Sequence, residues 1–306
     1  AAIERLGYVA NINARSLTAK RTAIIGVVLM VEENGSKTYE YDQETETFGY
    51  DVAIGVPRAL AGTDYGMLME RFSHEASRHD LPQLVKHNRV DGAIIIGGLF
   101  DERFIERLTS RGVPVVVVGR SYDGVDCVTA DIATGAYLAV RHLIDTGHTA
   151  ICYVNCPQKF SSHLPRRAGY EQAFASSPYR HDHRLVYCAH NNGLGGYEAV
   201  KELWEGGFRP DGIATANDGI ALGVLRFLYE RHLRVPDDVS IVSYEDSVLS
   251  GYCSPPLSTV HFDKELMGEQ AGRLLLKRIQ HPTGTPEQQV VPVELLQRES
   301  VVERQH

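Results

Sequence analysis

From Thr22 onward the chain repeats one pattern: a short run dense in valine and isoleucine, then a longer amphipathic stretch, then another such run. Near-continuous β-branched content fits strands buried on both faces, and the intervening stretches fit helices that cover them, so a parallel sheet is the expected product. The expected strands are Ile24 to Met30, Val52 to Val56, Ala93 to Ile96, Val115 to Val118, Ile151 to Val154, Leu185 to Tyr187, Gly212 to Thr215, Ser240 to Tyr244 and Gln289 to Pro292. Between them the spacing predicts helices over Phe104 to Arg111, Ala133 to Thr146, Arg166 to Ala175, Gly196 to Glu205, Gly219 to His232 and Lys264 to Gln280. Asp131 and Asp218 stand where N-caps belong, and Gly112 and Gly147 where C-terminal caps belong.

One open sheet rarely holds so many βα units. The fold class expected is therefore α/β, as two doubly wound parallel-sheet lobes with a ligand cleft facing the carboxyl ends of their strands. Residues 32 to 79 fit this scheme least well. Their glycines and Pro57 break the pattern, and a short helix, a strand and a loop ahead of a helix from Met67 to Arg78 is the reading they allow.

Composition narrows the function. Apolar residues make up 43% and charged residues 23%, a globular balance, and no apolar run approaches the roughly 18 residues of a membrane span. With no secretory leader pattern at Ala1 to Arg5, a cytoplasmic protein is the default expectation. The net charge of -8 argues against a surface that binds nucleic acid throughout, yet residues 1 to 21 carry Arg5, Arg15, Lys20 and Arg21 against the single acid Glu4.

Five scattered cysteines, an odd number, point to reduced thiols rather than a disulfide framework. Cys152 and Cys156 have no second pair to complete a zinc site, and His181 and His183 read as part of a polar loop, so no metal and no cofactor is expected. The phosphate-binding loop, the nucleophile elbow and His-Glu-x-x-His are all missing, which argues against an enzyme. The cluster Gly193-Leu194-Gly195-Gly196 enters a helix, either as a plain turn or with its amides toward a polar ligand.

Leu6-Gly7-Tyr8-Val9-Ala10-Asn11, Ala14-Arg15-Ser16-Leu17 and Thr22-Ala23-Ile24-Ile25-Gly26-Val27-Val28 resemble the headpiece end, hinge helix and first core strand of the lactose/galactose repressor (LacI/GalR) family. The resemblance continues through Val90-Asp91-Gly92, Gly112-Val113-Pro114-Val115-Val116, His142 to His148, Arg166-Arg167-Ala168-Gly169-Tyr170, Ala216-Asn217-Asp218, Val235 to Ser240, Pro255 to Val260 and Arg298-Glu299-Ser300. It covers nearly the whole chain except about residues 32 to 80.

What the resemblance implies is a transcription regulator, a repressor, whose core is similar to type I periplasmic sugar-binding proteins. Residues 1–21 would be the end of a helix-turn-helix headpiece plus the hinge helix, so that the chain begins inside the headpiece. One lobe would hold 22–130 and 260–284, the other 131–259 and 285–306. The implied partners are operator DNA, a small-molecule effector that is a sugar or sugar derivative, and a second copy of the chain in a homodimer, with no membrane.

Asn11, Ala14, Arg15 and Leu17 would form the DNA-binding hinge, Leu17 standing where the family wedges a leucine into the minor groove. Arg166 and Asn217 match effector-binding positions. A guanidinium fork suits paired oxygens, and an amide offers both donor and acceptor. Their alternatives are a surface salt bridge for Arg166 and a helix cap for Asn217. Two positions depart from the family: Glu245 where many relatives have aspartate, and Asn191 where several stack an aromatic on the effector. The same fold without DNA, the sugar-binding protein of a transport system, is the alternative function, and a nucleotide-dependent α/β enzyme a more distant one.

Overall fold

The computed structural model describes residues 21–32 and 44–304. Its strands are β1 (Ile24–Val31), β2 (Gly66–Ser73), β3 (Gly92–Ile96), β4 (Val115–Val118), β5 (Asp126–Ala130), β6 (Ala150–Asn155), β7 (Asp182–Tyr187), β8 (Gly212–Thr215), β9 (Ser240–Tyr244), β10 (Ser258–His261), β11 (Gln288–Val291) and β12 (Glu294–Leu296). The helices are α1 (Glu44–Leu60), α2 (His74–Ser77), α3 (Gln83–Lys86), α4 (Glu102–Thr109), α5 (Ile132–Asp145), α6 (His163–Ala175), α7 (Gly193–Glu205), α8 (Asp218–Glu230), α9 (Val248–Tyr252) and α10 (Lys264–Gln280).

Two six-stranded sheets result, in the orders β11-β5-β4-β3-β1-β2 and β12-β10-β9-β8-β6-β7. The strand pairs are parallel except β10 with β12. All five residues of β3 and all four of β4 are buried, as expected of central strands covered on both faces. The chain passes between the sheets three times: after Ala130, after His261 and after Val291. The third passage lies beyond the boundary expected at residue 284, because β11 still pairs with β5, Gln288 to Val291 against Cys127 to Ala130. Among the described residues no helix is long and apolar enough to cross a membrane.

Helices approach one another closely on both lobes. A Cβ on Gly268 of α10 would lie 1.9 Å from the Val52 carbonyl oxygen of α1, and one on Gly223 of α8 would lie 1.8 Å from the Gly193 oxygen of α7. Glycine is therefore the residue that lets those backbones pack in contact.

Several expectations are corrected. The strand expected at Val52 to Val56 is the middle of α1, where Val52, Ala53, Gly55, Val56 and Leu60 are buried while Ile54, Pro57 and Arg58 are exposed, a helical period rather than alternation. The helix expected from Met67 to Arg78 is instead strand β2 followed by the single turn α2. Met67, Leu68, Met69, Glu70 and Arg71 are good helix formers, but pairing along all of β1 overrides that preference. Strands β5, β10 and β12 were not anticipated. Asp131 does cap α5, accepting from the Thr134 amide at 3.1 Å, but the cap of α8 is Asn217, and Asp218 is the first helical residue. Gly112 and Gly147, at φ +75° and +86°, sit in the left-handed conformation a helix exit needs. His183 lies in β7, stacked 4.0 Å from the Phe174 ring, rather than in a loop.

Candidate functional site

The carboxyl ends of the strands in both sheets face a single cleft of about 1210 Å³, solvent at its mouth included. Its lining follows from strand topology. Met30 and Val31 end β1, Gly97 follows β3, Gly119 follows β4, Ala130 ends β5, Cys156 follows β6, Asn217 lies two residues past β8, and Glu245 follows β9. This is the place where doubly wound sheets bind their ligands.

All four residues expected in the pocket line this cleft: Arg166, Asn191, Asn217 and Glu245. Arg166 projects from the first turns of α6 and is 7% exposed, so it is no surface salt bridge. One terminal nitrogen donates to the Ala216 carbonyl at 3.0 Å and the other to the Ser162 carbonyl at 3.4 Å, while Nε is buried without a partner. The guanidinium carbon lies 5.1 Å from the centre of the Tyr244 ring, whose hydroxyl is likewise buried and unpartnered. A positive group so held, with donor capacity unused, suits an oxygen-rich ligand.

Asn217 caps a helix and also lines the cleft. Its Oδ1 accepts from the Ile220 amide at 2.7 Å, capping α8, and its Nδ2 donates to Asn191 Oδ1 at 3.0 Å. Next in sequence to the capping residue of α7, Asn192, Asn191 thereby has its amide oriented at the cleft wall.

Glu245 has φ +106°, outside the conformations usual for a side-chain-bearing residue, and its neighbour Asp246 has φ +51°. The Lys264 ammonium donates to the Glu245 carbonyl at 2.6 Å and lies 3.4 Å from Asp51, tying this turn to α1 and α10 of the other lobe. Burial, with the nearby Asp218 carboxylate adding to it, pushes the Glu245 carboxyl up to about 7. Asp218 itself is raised by burial, against the opposing pull of hydrogen bonds from Ser243 and Ser247. At the cleft, Lys159 and Glu32 form an ion pair between the loop after β6 and the end of β1.

Sequence reasoning missed the other wall. Phe48 of α1, Phe160, Phe262, Met30 and Met267 line the cleft beside the four polar residues, as does Tyr244. For Met30 and Tyr244 a signal existed, since each ends an expected strand. Phe48 and Phe262 had none, because the middle of α1 was expected to be a strand and β10 was not anticipated. Asn11, Ala14, Arg15 and Leu17 lie outside the described residues.

A family model described as a periplasmic binding protein-like domain matches residues 140–301. Among curated proteins, the HTH-type transcriptional regulator CelR of Thermobifida fusca is 31% identical over 98% of this chain and 87% of its own length. The ribose operon repressor of Haemophilus influenzae is 29% identical over the same shares, 98% and 87%. Among solved structures, a CelR–cellobiose complex superposes with a TM-score of 0.77 at 29% identity, covering 98% of this chain and 88% of that one. A LacI-family transcriptional regulator from Enterococcus faecium with bound ribose gives 0.75 at 26% identity, covering 92% and 100%. By its fold, by the family model that spans more than half of it and by a relative similar along almost its entire length, the chain belongs to the lactose/galactose repressor (LacI/GalR) family of transcription regulators.

Proposed function

We propose that this chain is the effector-binding part of a transcription repressor that acts by binding rather than catalysis, and that its effector is a sugar or sugar derivative taken up in the interlobe cleft. One observation carries the reading: the buried Arg166 guanidinium, with an unused donor, lines the cleft beside Asn191, Asn217 and Glu245. Related structures hold cellobiose or ribose, which supports a polyhydroxylated effector here. The lobes are assigned as 22–130 with 262–291 and 131–261 with 292–304. Effector binding changes their mutual setting, and with it the spacing of paired headpieces on operator half-sites.

In this reading Asn11, Ala14, Arg15 and Leu17 form the hinge on DNA, Leu17 acting as an apolar wedge whose unstacking cost is recovered in contacts with bent DNA. The chain works as a homodimer. The test is a thermal-shift screen against sugars and sugar phosphates, because a ligand that binds only the folded state raises its melting temperature. A hit should then change operator affinity in a protein carrying a helix-turn-helix headpiece ahead of Ala1. Leu17→Ala in that protein should weaken operator binding and reduce the bend. A ligand that binds tightly yet leaves operator affinity unaltered overturns the regulatory reading.

A further inference from the structure

The polar groups of the cleft are concentrated on one side. The second lobe supplies Arg166, Asn191, Asn217, Ser162 and Glu245 beside the rings of Phe160 and Tyr244. From the first lobe, among the described residues, come glycine backbone at Gly97, Gly98 and Gly119 and apolar side chains, above all Met30, Phe48 and Met267. The amides of Gly97 and Gly119 already donate to the carbonyls of Val118 and Val128. Glu32, the one charged first-lobe side chain among these lining residues, is held by Lys159.

A line of rings connects the two walls. The Arg166 guanidinium lies 5.1 Å from the Tyr244 ring, Tyr244 and Phe262 are 5.5 Å apart, and Phe262 and Phe48 are 6.3 Å apart. Phe160 lines the same space from the loop after β6. A ligand long enough to touch both walls therefore meets a guanidinium and amides at one end and aromatic carbon at the other. Hydroxyls placed at the aromatic end would lose water without gaining partners, an exchange that opposes binding.

We propose that the effector is two-ended: a hydroxylated head at Arg166, Asn191 and Glu245, and an apolar, ring-like tail against Phe48, Phe160 and Phe262, the chemistry of a glycoside with an aromatic aglycone. The sugar character of the head rests on the function proposed above, whereas the apolar tail rests on the aromatic lining, Phe48 and Phe262 together with Phe160 of the second lobe. Phe48 and Phe160 are then the residues that select the tail.

The test is calorimetry of this core with matched methyl and phenyl glycosides of glucose, galactose, xylose and ribose, with cellobiose, and with phenylacetate. At least one phenyl glycoside should bind about tenfold tighter than its methyl partner, the gain expected from burying a ring. In Phe48→Ala, in the gentler Phe48→Leu and in Phe160→Ala, the phenyl-to-methyl ratio should fall toward one, with circular dichroism reporting the folded state. Equal binding of methyl and phenyl partners, or equal loss of both in the variants, overturns the tail and leaves the sugar reading standing. Cellobiose binding tighter than phenyl glucoside overturns it as well, since a second sugar ring then fills the apolar end. If every sugar is silent while phenylacetate binds in a manner lost in both Arg166→Ala and Phe48→Ala, the two-ended cleft stands and the sugar reading falls. If no probe binds, both fall.

Discussion

Asn217 donates to Asn191 with one atom of its amide while the other starts a helix: Nδ2 lies 3.0 Å from Asn191 Oδ1, and Oδ1 lies 2.7 Å from the Ile220 amide nitrogen. The two jobs separate by substitution. Asn217→Asp keeps an acceptor for the cap and places negative charge at a helix N-terminus, so folding stability should hold. It removes the donor that orients Asn191, and effector affinity should fall. Asn217→Ala loses both and should also cost about 1 kcal/mol of stability. Thermal denaturation read beside calorimetry distinguishes the two, and wild-type affinity in Asn217→Asp would show that the amide pair does not shape the site.

Arg166 gives a second separation of binding from stability. Its charge is buried with no carboxylate close enough to form an ion pair with it among the described residues, and it donates to the carbonyls of Ala216 and Ser162. In Arg166→Met those hydrogen bonds are lost, at about 1 kcal/mol each, but an uncompensated buried charge goes with them. The melting temperature without ligand should therefore change little. Effector affinity should fall by about tenfold to a hundredfold, the loss of one charge-assisted contact. Arg166→Lys should not rescue it, since a point charge cannot replace the planar fork. A strongly destabilised Arg166→Met core, or one that binds effector normally, would contradict this account.

Much of this site could be read before any coordinates. Valine runs such as Val115 to Val118 declare buried parallel strands, and cleft-lining residues then fall just past strand ends, as Asn217 and Glu245 do. The apolar wall was hidden for a different reason. Val52 and Val56 are β-branched in a stretch that is helical, and Met67 to Arg71 are helix formers in a stretch that is strand, so local preference misled twice in succession. In both cases the deciding energy is tertiary: α1 packs against α10 through Gly55 and Gly268, and β2 completes the edge of a sheet. Propensity within a short window carries no information about such partners. The short strands β10 and β12 escaped because Ser258 to His261 and Glu294 to Leu296 offer too few residues for a period to appear.

Glu245 should make the stability of the core depend on pH. Its carboxyl is held at about 7 in the folded chain, against an ordinary value of 4.5, mainly by burial and then by Asp218. Between those two values the folded state binds more protons than the unfolded one, so stability falls as pH rises through the window and levels off above about 7. Asp218, also raised by burial, acts in the same direction. Glu245→Gln removes the ionisation, and the variant should be more stable than wild type at pH 8 and flatter from pH 5 to 7. Denaturant titrations at pH 5, 6, 7 and 8 measure this. Parallel profiles for the two proteins would mean that Glu245 is solvated in the folded chain.

The final prediction concerns association, and it starts from apolar side chains that a lone chain leaves in water. Tyr229 of α8 is 81% exposed, and on α9 Val248 and Tyr252 are 76% and 86% exposed. On the first lobe, β2 is an edge strand that pairs only with β1 among the described residues, and its Leu68 and Met69 are 40% and 48% exposed. Single exposed apolar residues are ordinary, but these are large, and they mark α8 and α9 on one lobe and a sheet edge on the other. A two-fold dimer that covers both would bury the unpaired edge as well as the aromatics, and stable interfaces of this kind hide upward of about 1,000 Å². Sedimentation velocity of the core at micromolar concentration should give a dimer without DNA. Val248→Asp with Tyr252→Asp should shift it toward monomer without changing the circular dichroism spectrum, because neither side chain belongs to the buried core. Leu68→Lys, which places a charge on the strand edge, should do the same in smaller measure. If the α9 double variant stays dimeric while Leu68→Lys dissociates, the contact belongs to the first lobe alone, and a wild-type core that sediments only as monomer removes the dimer altogether.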